Sequence, residues 1–190
     1  GPDFFGKIRE ALPEVEFQFH AQRSPVVLDR LRSGEYMVGV CTGSSDSDTD
    51  LVSEVIRQEP MVLILSGLKK KKFAVGEIIP VLTIESRSGA WTSIEDTMRQ
   101  LKLVRVASLE SFFAVAQMAV SGFGHGLVPI GVARTLGVED KHLVKLSGTD
   151  TTPSLTRPVR FVARKSMFAQ ALVRSFYLEA ARLADDMDNT

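Results

Sequence analysis

Strand-like and helix-like stretches take turns along this chain, and their order constrains the fold more than any other feature of the sequence. Residues 2–12 carry apolar side chains at helical spacing, residues 14–21 alternate apolar with polar side chains as a strand does, and residues 24–34 return to helical spacing. Strands separated by helices form sheets covered by helices on both faces. We therefore predict an α/β protein. Further strands are predicted at residues 36–43, 51–66, 79–86, 103–108, 125–130 and 157–165, and further helices at 87–101, 109–122, 131–137 and 166–186.

The composition fits a globular domain that binds neither nucleic acid nor membrane by itself. Of 190 residues, 44% are hydrophobic, which is enough to bury a core. The 23 basic residues equal the 23 acidic ones, so no net field draws the chain to an anionic surface. No apolar run approaches the roughly 20 residues that span a bilayer, and an export signal is not apparent. We expect a cytoplasmic protein whose single cysteine, Cys41, is a buried structural thiol.

Three glycines at alternate positions, Gly122, Gly124 and Gly126, follow the predicted helix 109–122, which is apolar nearly all round. Gly122 lies where that helix ends, a position that favours positive φ, and the other two allow the next strand to approach closely. Phosphate-binding glycine loops follow a strand, whereas these glycines precede one. We interpret them as points of close contact between helix and strand, with ordinary turn glycines as the alternative.

Residues that could carry metal or catalytic chemistry are scattered along the chain. The three histidines are far apart and lack the spacing of a metal site. No serine lies in a Gly-x-Ser-x-Gly turn, and the adjacent acids Glu95 and Asp96 fit the first turn of a helix. The lysines at 69–72 are typical of a solvated loop. The sequence therefore predicts no enzyme, no metal and no cofactor.

Three segments resemble the effector-binding domain of LysR-type transcriptional regulators, and they occur in the order that this family uses. They are LDRLRSGEYMVGV at residues 28–40, QEPMVLILS at 58–66 and, most specifically, MAVSGFGHGLVPIGVARTLG at 118–137. The resemblance extends over nearly the whole chain. It implies a two-lobed fold of the periplasmic-binding-protein type, in which each lobe is a mainly parallel sheet flanked by helices.

Such a fold implies that the chain crosses between the lobes twice. We place the crossings near Leu63–Gly67 and Ser154–Val159. Lobe one then comprises residues 1–66 plus 158–190, and lobe two comprises residues 67–157.

The chain departs from the family pattern at three points. The family usually has an acidic residue two places after the position of Glu35, and this chain has Met37, which puts one polar contact in question. Only Gly1 and Pro2 precede the first helix, where the family has a strand whose following loop lines the effector cleft. The N-terminal helix-turn-helix of full regulators is also outside this sequence. We therefore expect the chain to be a fragment of a longer regulator.

Ligands of open α/β sheets bind beyond the carboxyl ends of the strands, next to helix N-termini with free N–H groups. Four predicted loops fit this description: residues 21–24, 41–44, 86–90 and 107–111. They carry hydroxyl groups suited to a small polar ligand and one guanidinium that can hold a carboxylate. The alternatives are a helix cap for each serine and a solvated surface position for the arginine. The candidate ligand-binding residues are Ser24, Thr42, Ser86, Arg87, Ser88 and Ser108.

The resemblance implies a ligand-sensing regulatory domain. A small-molecule effector, such as a carboxylate or an amino acid, binds between the lobes in this hypothesis and changes how paired DNA-binding domains are held. The expected partners are this effector, further copies of the chain in a homodimer or homotetramer, and DNA only through the helix-turn-helix domain. Two other classes share the scaffold: a solute-binding protein of a transport system, which should carry an export signal, and an enzyme.

Overall fold

The computed structural model describes residues 2–42, 50–74, 76–84, 89–146 and 154–186, and the chain divides into two compact units. The first unit comprises Gly1–Gln58 and Pro158–Thr190, and the second comprises Glu59–Arg157. The chain therefore passes from one unit to the other after residue 58 and back after residue 157. The boundaries of the two functional lobes expected from the sequence, residues 1–66 plus 158–190 and residues 67–157, stay a prediction.

The first unit has helices on both faces of its sheet. Its elements are α1 (Pro2–Ala11), α2 (Ser24–Ser33), β1 (Val38–Cys41), the first part of β2 (Leu51–Ile64), most of β7 (Thr156–Arg164), α6 (Lys165–Phe168) and α7 (Ala171–Asp186). Phe161 and Ala163 pack with α1 and α7, whereas Val162, between them on β7, packs with α2 on the other face. β1 runs antiparallel to β7, with Val38 opposite Ala163 and Cys41 opposite Arg160, and β7 lies between β1 and β2 in the strand order.

The strand predicted at residues 14–21 is wrong. These residues belong to no strand, although apolar and polar residues alternate along them as in a strand. The rings of Phe17 and Phe19 stack on each other with centroids 5.5 Å apart, and His20 stacks instead on Tyr36. A strand also needs a hydrogen-bonded neighbour. No described strand supplies one for this segment.

The second unit contains a five-stranded sheet and its helices. Its elements are the second part of β2, β3 (Ile79–Ile84), α3 (Gly89–Gln100), β4 (Leu103–Leu109), α4 (Phe112–Val120), β5 (His125–Pro129), α5 (Ile130–Thr135), β6 (Leu143–Lys145), and single 3-10 turns at Ser66–Leu68 and Asp140–His142. The described strands of the sheet lie in the order β6, β2, β5, β3, β4. β3 is parallel to both β4 and β5, and β2 is antiparallel to β5 and β6.

The α/β class is confirmed, with sheets that are mixed rather than mainly parallel. Helical connections make β3, β4 and β5 parallel, as expected from the alternation of strands and helices. β2 reaches the second unit from the first, so no helical crossover fixes its direction, and it pairs antiparallel. None of the described helices is long and apolar enough to cross a membrane.

Helix α4 meets strand β5 closely, as the three glycines predict. α4 buries Phe112, Val115, Ala116 and Ala119, and Gly122 beyond its end has φ of 88°. That left-handed conformation is the one that glycine adopts without a steric cost. The helix end and its positive φ are therefore confirmed.

Candidate functional site

The parallel strands of the second unit end at one common edge. Thr83 of β3 lies opposite Ser108 of β4, and Ile84 lies opposite Leu109. Thr83 is fully buried, and its hydroxyl donates a hydrogen bond to the carbonyl of Leu127 on β5, at 3.1 Å. This bond ties β3 to β5 beside the edge. The segments that follow β3 and β4 therefore begin side by side.

One predicted ligand residue of this unit, Ser108, lies at that edge. Ser108 is the last but one residue of β4 and is exposed. Ser86, Arg87 and Ser88 follow β3 but lie outside the described residues. Only Ser108 is therefore located by the structure, and the roles of all four residues stay predictions.

The predicted ligand residues of the first unit are half-buried. Thr42 directly follows β1. Ser24 is not the cap of α2, because the carbonyl of Arg23 already accepts a helical hydrogen bond from the N–H of Val27, at 3.1 Å. The helix therefore begins at Ser24 itself, with Arg23 as the N-cap residue. Ser24 and Thr42 remain predicted ligand contacts.

A buried ion pair of the second unit was not anticipated from the sequence. Nε of Arg157 donates a hydrogen bond to Oε2 of Glu59 at 2.7 Å, and Nη2 of the same guanidinium lies 2.6 Å from that oxygen. The two side chains are only 20% and 11% exposed. The guanidinium also lies over the ring of Phe112, 5.1 Å from its centroid. Both charges are largely removed from water, so each needs the other to offset the cost of its lost hydration.

This ion pair lies where α4 and α5 begin. Phe112 is the first residue of α4, and a Cβ built on Gly131, near the start of α5, would lie 3.0 Å from Oε1 of Glu59. Because α4 follows β4 and α5 follows β5, the pair connects the start of β2 in this unit to the carboxyl edge of the parallel strands. We infer that the ion pair holds β2 and the starts of α4 and α5 in place and so holds the frame of the candidate site. Sequence spacing gave no signal for it, since 98 residues separate the partners.

His125, at the start of β5, makes contacts within the protein that give it a structural role. Its Nδ1 accepts a hydrogen bond from the backbone N–H of Ser66 at 3.1 Å, and Phe73 contacts the ring edge to face. Burial and, after it, the nearby Lys71 charge lower the pKa of His125, against an opposing effect of Glu77. A lowered pKa favours the neutral ring, and the N–H of Ser66 requires the tautomer in which Nδ1 accepts. Within the described ranges, no group of three or more potential metal ligands lies together.

The family of the chain is shown by a family model. The model described as the LysR substrate binding domain matches residues 2–184. The chain belongs to this family. It is an effector-binding domain of the LysR type.

Individual relatives agree with this membership. An uncharacterized HTH-type transcriptional regulator of Vibrio cholerae is 22% identical over 153 residues, which are 80% of this chain and 50% of that protein. The chain thus spans half the length of the curated relative that it matches. The relatives are regulator domains rather than enzymes.

Solved structures show the same fold at low identity. The reduced regulatory domain of OxyR2 from Vibrio vulnificus has a TM-score of 0.70 at 18% identity, covering 97% of this chain and 87% of that one. The cofactor-binding domain of the Cbl transcriptional regulator has a TM-score of 0.72 at 18% identity, with 96% and 80% covered. The BenM effector binding domain with its effector benzoate has a TM-score of 0.69 at 17% identity, with 100% and 87% covered.

Proposed function

We propose that this domain senses a small anionic metabolite, a carboxylate or an amino acid, and that the bound state changes how a helix-turn-helix domain of the same protein holds DNA. The observation that carries the proposal is membership of the LysR substrate binding domain family over residues 2–184. The proposed location is the cytoplasm, where the DNA that such a regulator binds is found.

The carboxyl edge of β3 and β4 supports this ligand class. Ser108 lies on that edge, and Ser86, Arg87 and Ser88 follow the neighbouring strand in sequence. An arginine can hold a carboxylate with two parallel hydrogen bonds, and serine hydroxyls and backbone N–H groups can complete the anion's shell. The BenM domain gives a precedent within the same fold, since its effector is benzoate, a carboxylate.

The ligand prediction is tested on the full-length protein. We expect some organic acids or amino acids in a thermal-shift screen to raise the Tm, and Arg87→Ala with Ser88→Ala to weaken that ligand about tenfold or more, because each charge-assisted hydrogen bond contributes about 1.5 to 3 kcal/mol. The matched control is Arg134→Ala with Thr135→Ala, an exposed arginine and hydroxyl at the end of α5. Equal affinity in the first double variant and in the parent would place the ligand at other residues.

We propose in addition that the domain associates with copies of itself through α4. Phe113 and Val120 of this helix are exposed, and Phe123, just beyond its end, is 69% exposed. Burying three such side chains removes a large apolar area from water, which favours association. The proposed assembly is a homodimer or homotetramer in which domains pair side by side.

Sedimentation of the full-length protein at micromolar concentration tests this association. We expect a dimer or larger species for the parent, and dissociation when Phe113→Glu and Phe123→Glu bury unpaired charges at the contact. Ile78→Glu is the control, because Ile78 is an equally exposed apolar residue of the same unit that precedes β3. A parent that sediments only as a monomer would contradict the proposed interface.

A further inference from the structure

Two polar side chains in the sheet of the first unit have buried atoms without a hydrogen-bond partner. They are Nε of Arg160 on β7 and Oγ of Ser53 on β2, and neither finds a partner within the part of the chain that the structure describes. Buried polar atoms are normally hydrogen-bonded, because leaving one unpaired costs free energy. The cost is highest when the atom belongs to a charged group such as a guanidinium. Neither of the proposals above uses these two residues.

Arg160 and Ser53 point to the same face of this sheet, the one on which α2 packs. Arg160 lies opposite Cys41 in the pairing of β7 with β1, so these two side chains share a face. Cys41 packs in one cluster with α2 and with Leu51 of β2. Since side chains alternate along a strand, Ser53 lies on the face of Leu51. We call this face the α2 face.

The two residues are also close along the sheet, because β2 and β7 are neighbouring strands. Two backbone hydrogen bonds of 2.9 Å join these strands, from the N–H of Lys165 to the carbonyl of Asp50 and from the N–H of Met61 to the carbonyl of Leu155. The strands therefore run antiparallel, and Arg160 comes opposite Val55, the next residue after Ser53 on the α2 face. Diagonal neighbours on one face of an antiparallel pair are about 7 to 8 Å apart, within reach of a long side chain. The guanidinium and the hydroxyl can thus contact one small group.

Solvent reaches the α2 face beside Arg160. Val55, its neighbour on β2, is 43% exposed, whereas Arg160 and Ser53 are both half-buried. A guanidinium offers Nε and one Nη as two parallel N–H donors, which match the two oxygens of a carboxylate. A serine hydroxyl can donate a third hydrogen bond to the same group. The chemistry of this position therefore fits a small carboxylate.

We propose that Arg160 and Ser53 form a site on the α2 face of the first unit that binds the carboxylate of a small molecule. The carboxylate supplies the acceptor that Nε lacks within the described ranges, and its charge offsets that of the guanidinium. The site goes beyond the proposed function, whose candidate arginine, Arg87, follows β3 of the second unit. A carboxylate of the chain itself is the competing occupant, since Asp46 and Asp48 follow β1 in sequence.

Nuclear magnetic resonance of the full-length protein, with isotope-labelled arginine, observes the Nε–H of Arg160 directly. The signal is assigned by its loss in Arg160→Lys. We expect sodium acetate to shift this signal until the shift saturates, because a carboxylate hydrogen-bonds to Nε, whereas sodium chloride at the same ionic strength leaves the signal in place. No shift with acetate, or an equal shift with chloride, would overturn the proposal.

Two further variants locate the bound acetate. Ser53→Ala is expected to weaken acetate binding about tenfold, because a hydrogen bond to a charged group is lost, whereas Ser175→Ala, at an exposed serine of α7, leaves the affinity unchanged. The Nε–H signal should respond as in the parent in Arg87→Ala with Ser88→Ala, so the outcome does not depend on the proposed function. Equal affinity in Ser53→Ala and the parent, or loss of the response in the double variant, contradicts the assignment.

Asp46→Asn with Asp48→Asn tests the competing occupant. If carboxylates of the chain itself already fill the site, this double variant shifts the Nε–H signal of Arg160 in the absence of acetate, and the proposal is wrong. We expect no such shift, and acetate binding with the affinity of the parent.

Thermal unfolding of the full-length protein gives an independent readout. Arg160→Met keeps an apolar side chain and removes a charge whose Nε is unpaired, so we expect a Tm at or above that of the parent without acetate, and a smaller rise on adding acetate. Arg174→Met, at an exposed arginine of α7, is the matched control and should leave the Tm and the acetate response of the parent unchanged. If Arg160→Met melts below the parent in the absence of acetate, the guanidinium stabilises the fold itself and the ligand assignment fails.

Discussion

Arg157→Met is expected to lower the free energy of unfolding by about 3 kcal/mol or more, the largest effect of any single side chain considered for this domain. The variant leaves the carboxylate of Glu59 buried with its main cationic partner removed, since Arg157 donates a hydrogen bond from Nε and places Nη2 at 2.6 Å from the same oxygen. A buried charge that loses its partner costs far more than the intact pair contributes. Urea denaturation followed by circular dichroism measures the change.

The double variant Glu59→Met with Arg157→Met separates lost pairing from lost charge. Replacing both ions by apolar side chains of similar volume is expected to restore stability to within about 1 kcal/mol of the parent. The control is Arg182→Met, which removes an exposed guanidinium paired with Glu179 and Asp186 and should leave stability nearly unchanged. If Arg157→Met were as mild as Arg182→Met, the buried pair would not hold the frame of the candidate site.

The sequence was most informative where a single local signal decides the structure. The end of α4 is an example, because a glycine after an apolar helix is enough to predict a left-handed residue, and Gly122 has φ of 88°. The order of helices and strands is likewise visible along the chain. Each of these signals lies within one helix or strand, or at its end.

Features that depend on distant partners were not predicted. Residues 14–21 alternate as a strand does, but whether a segment becomes a strand depends on a hydrogen-bonded neighbour from elsewhere in the chain. The Glu59–Arg157 pair joins positions 98 residues apart and has no spacing to detect. At the start of α2, a cap was one of two roles open to Ser24, and the structure gives that position to Arg23, whose carbonyl accepts the hydrogen bond from Val27.

Of the three glycines after α4, Gly126 is expected to tolerate an added side chain least, because of the contacts that its Cβ would make. A Cβ there would lie 2.8 Å from Cβ of Ala119 and 3.2 Å from the backbone oxygen of Val115, so helix α4 itself would have to move. A Cβ at Gly124 would instead meet the side chain of Leu82 at 3.3 Å, and a side chain can shift. The closest contact between α4 and β5 is therefore at Gly126 rather than at Gly124.

Gly126→Ala is accordingly expected to destabilise the domain by about 2 kcal/mol, because overpacking a rigid core costs roughly 1 to 3 kcal/mol. For a domain of this size the Tm falls by about 4 to 8 °C, as measured by differential scanning calorimetry. Gly124→Ala should lower the Tm less, since only Leu82 must adjust. The matched control is Gly6→Ala in α1, where an added Cβ meets nothing within 4 Å and alanine favours the helix, so its Tm should stay level or rise. A Gly126→Ala protein that melts with the parent would show that α4 and β5 are not in the close contact that the glycine pattern predicts.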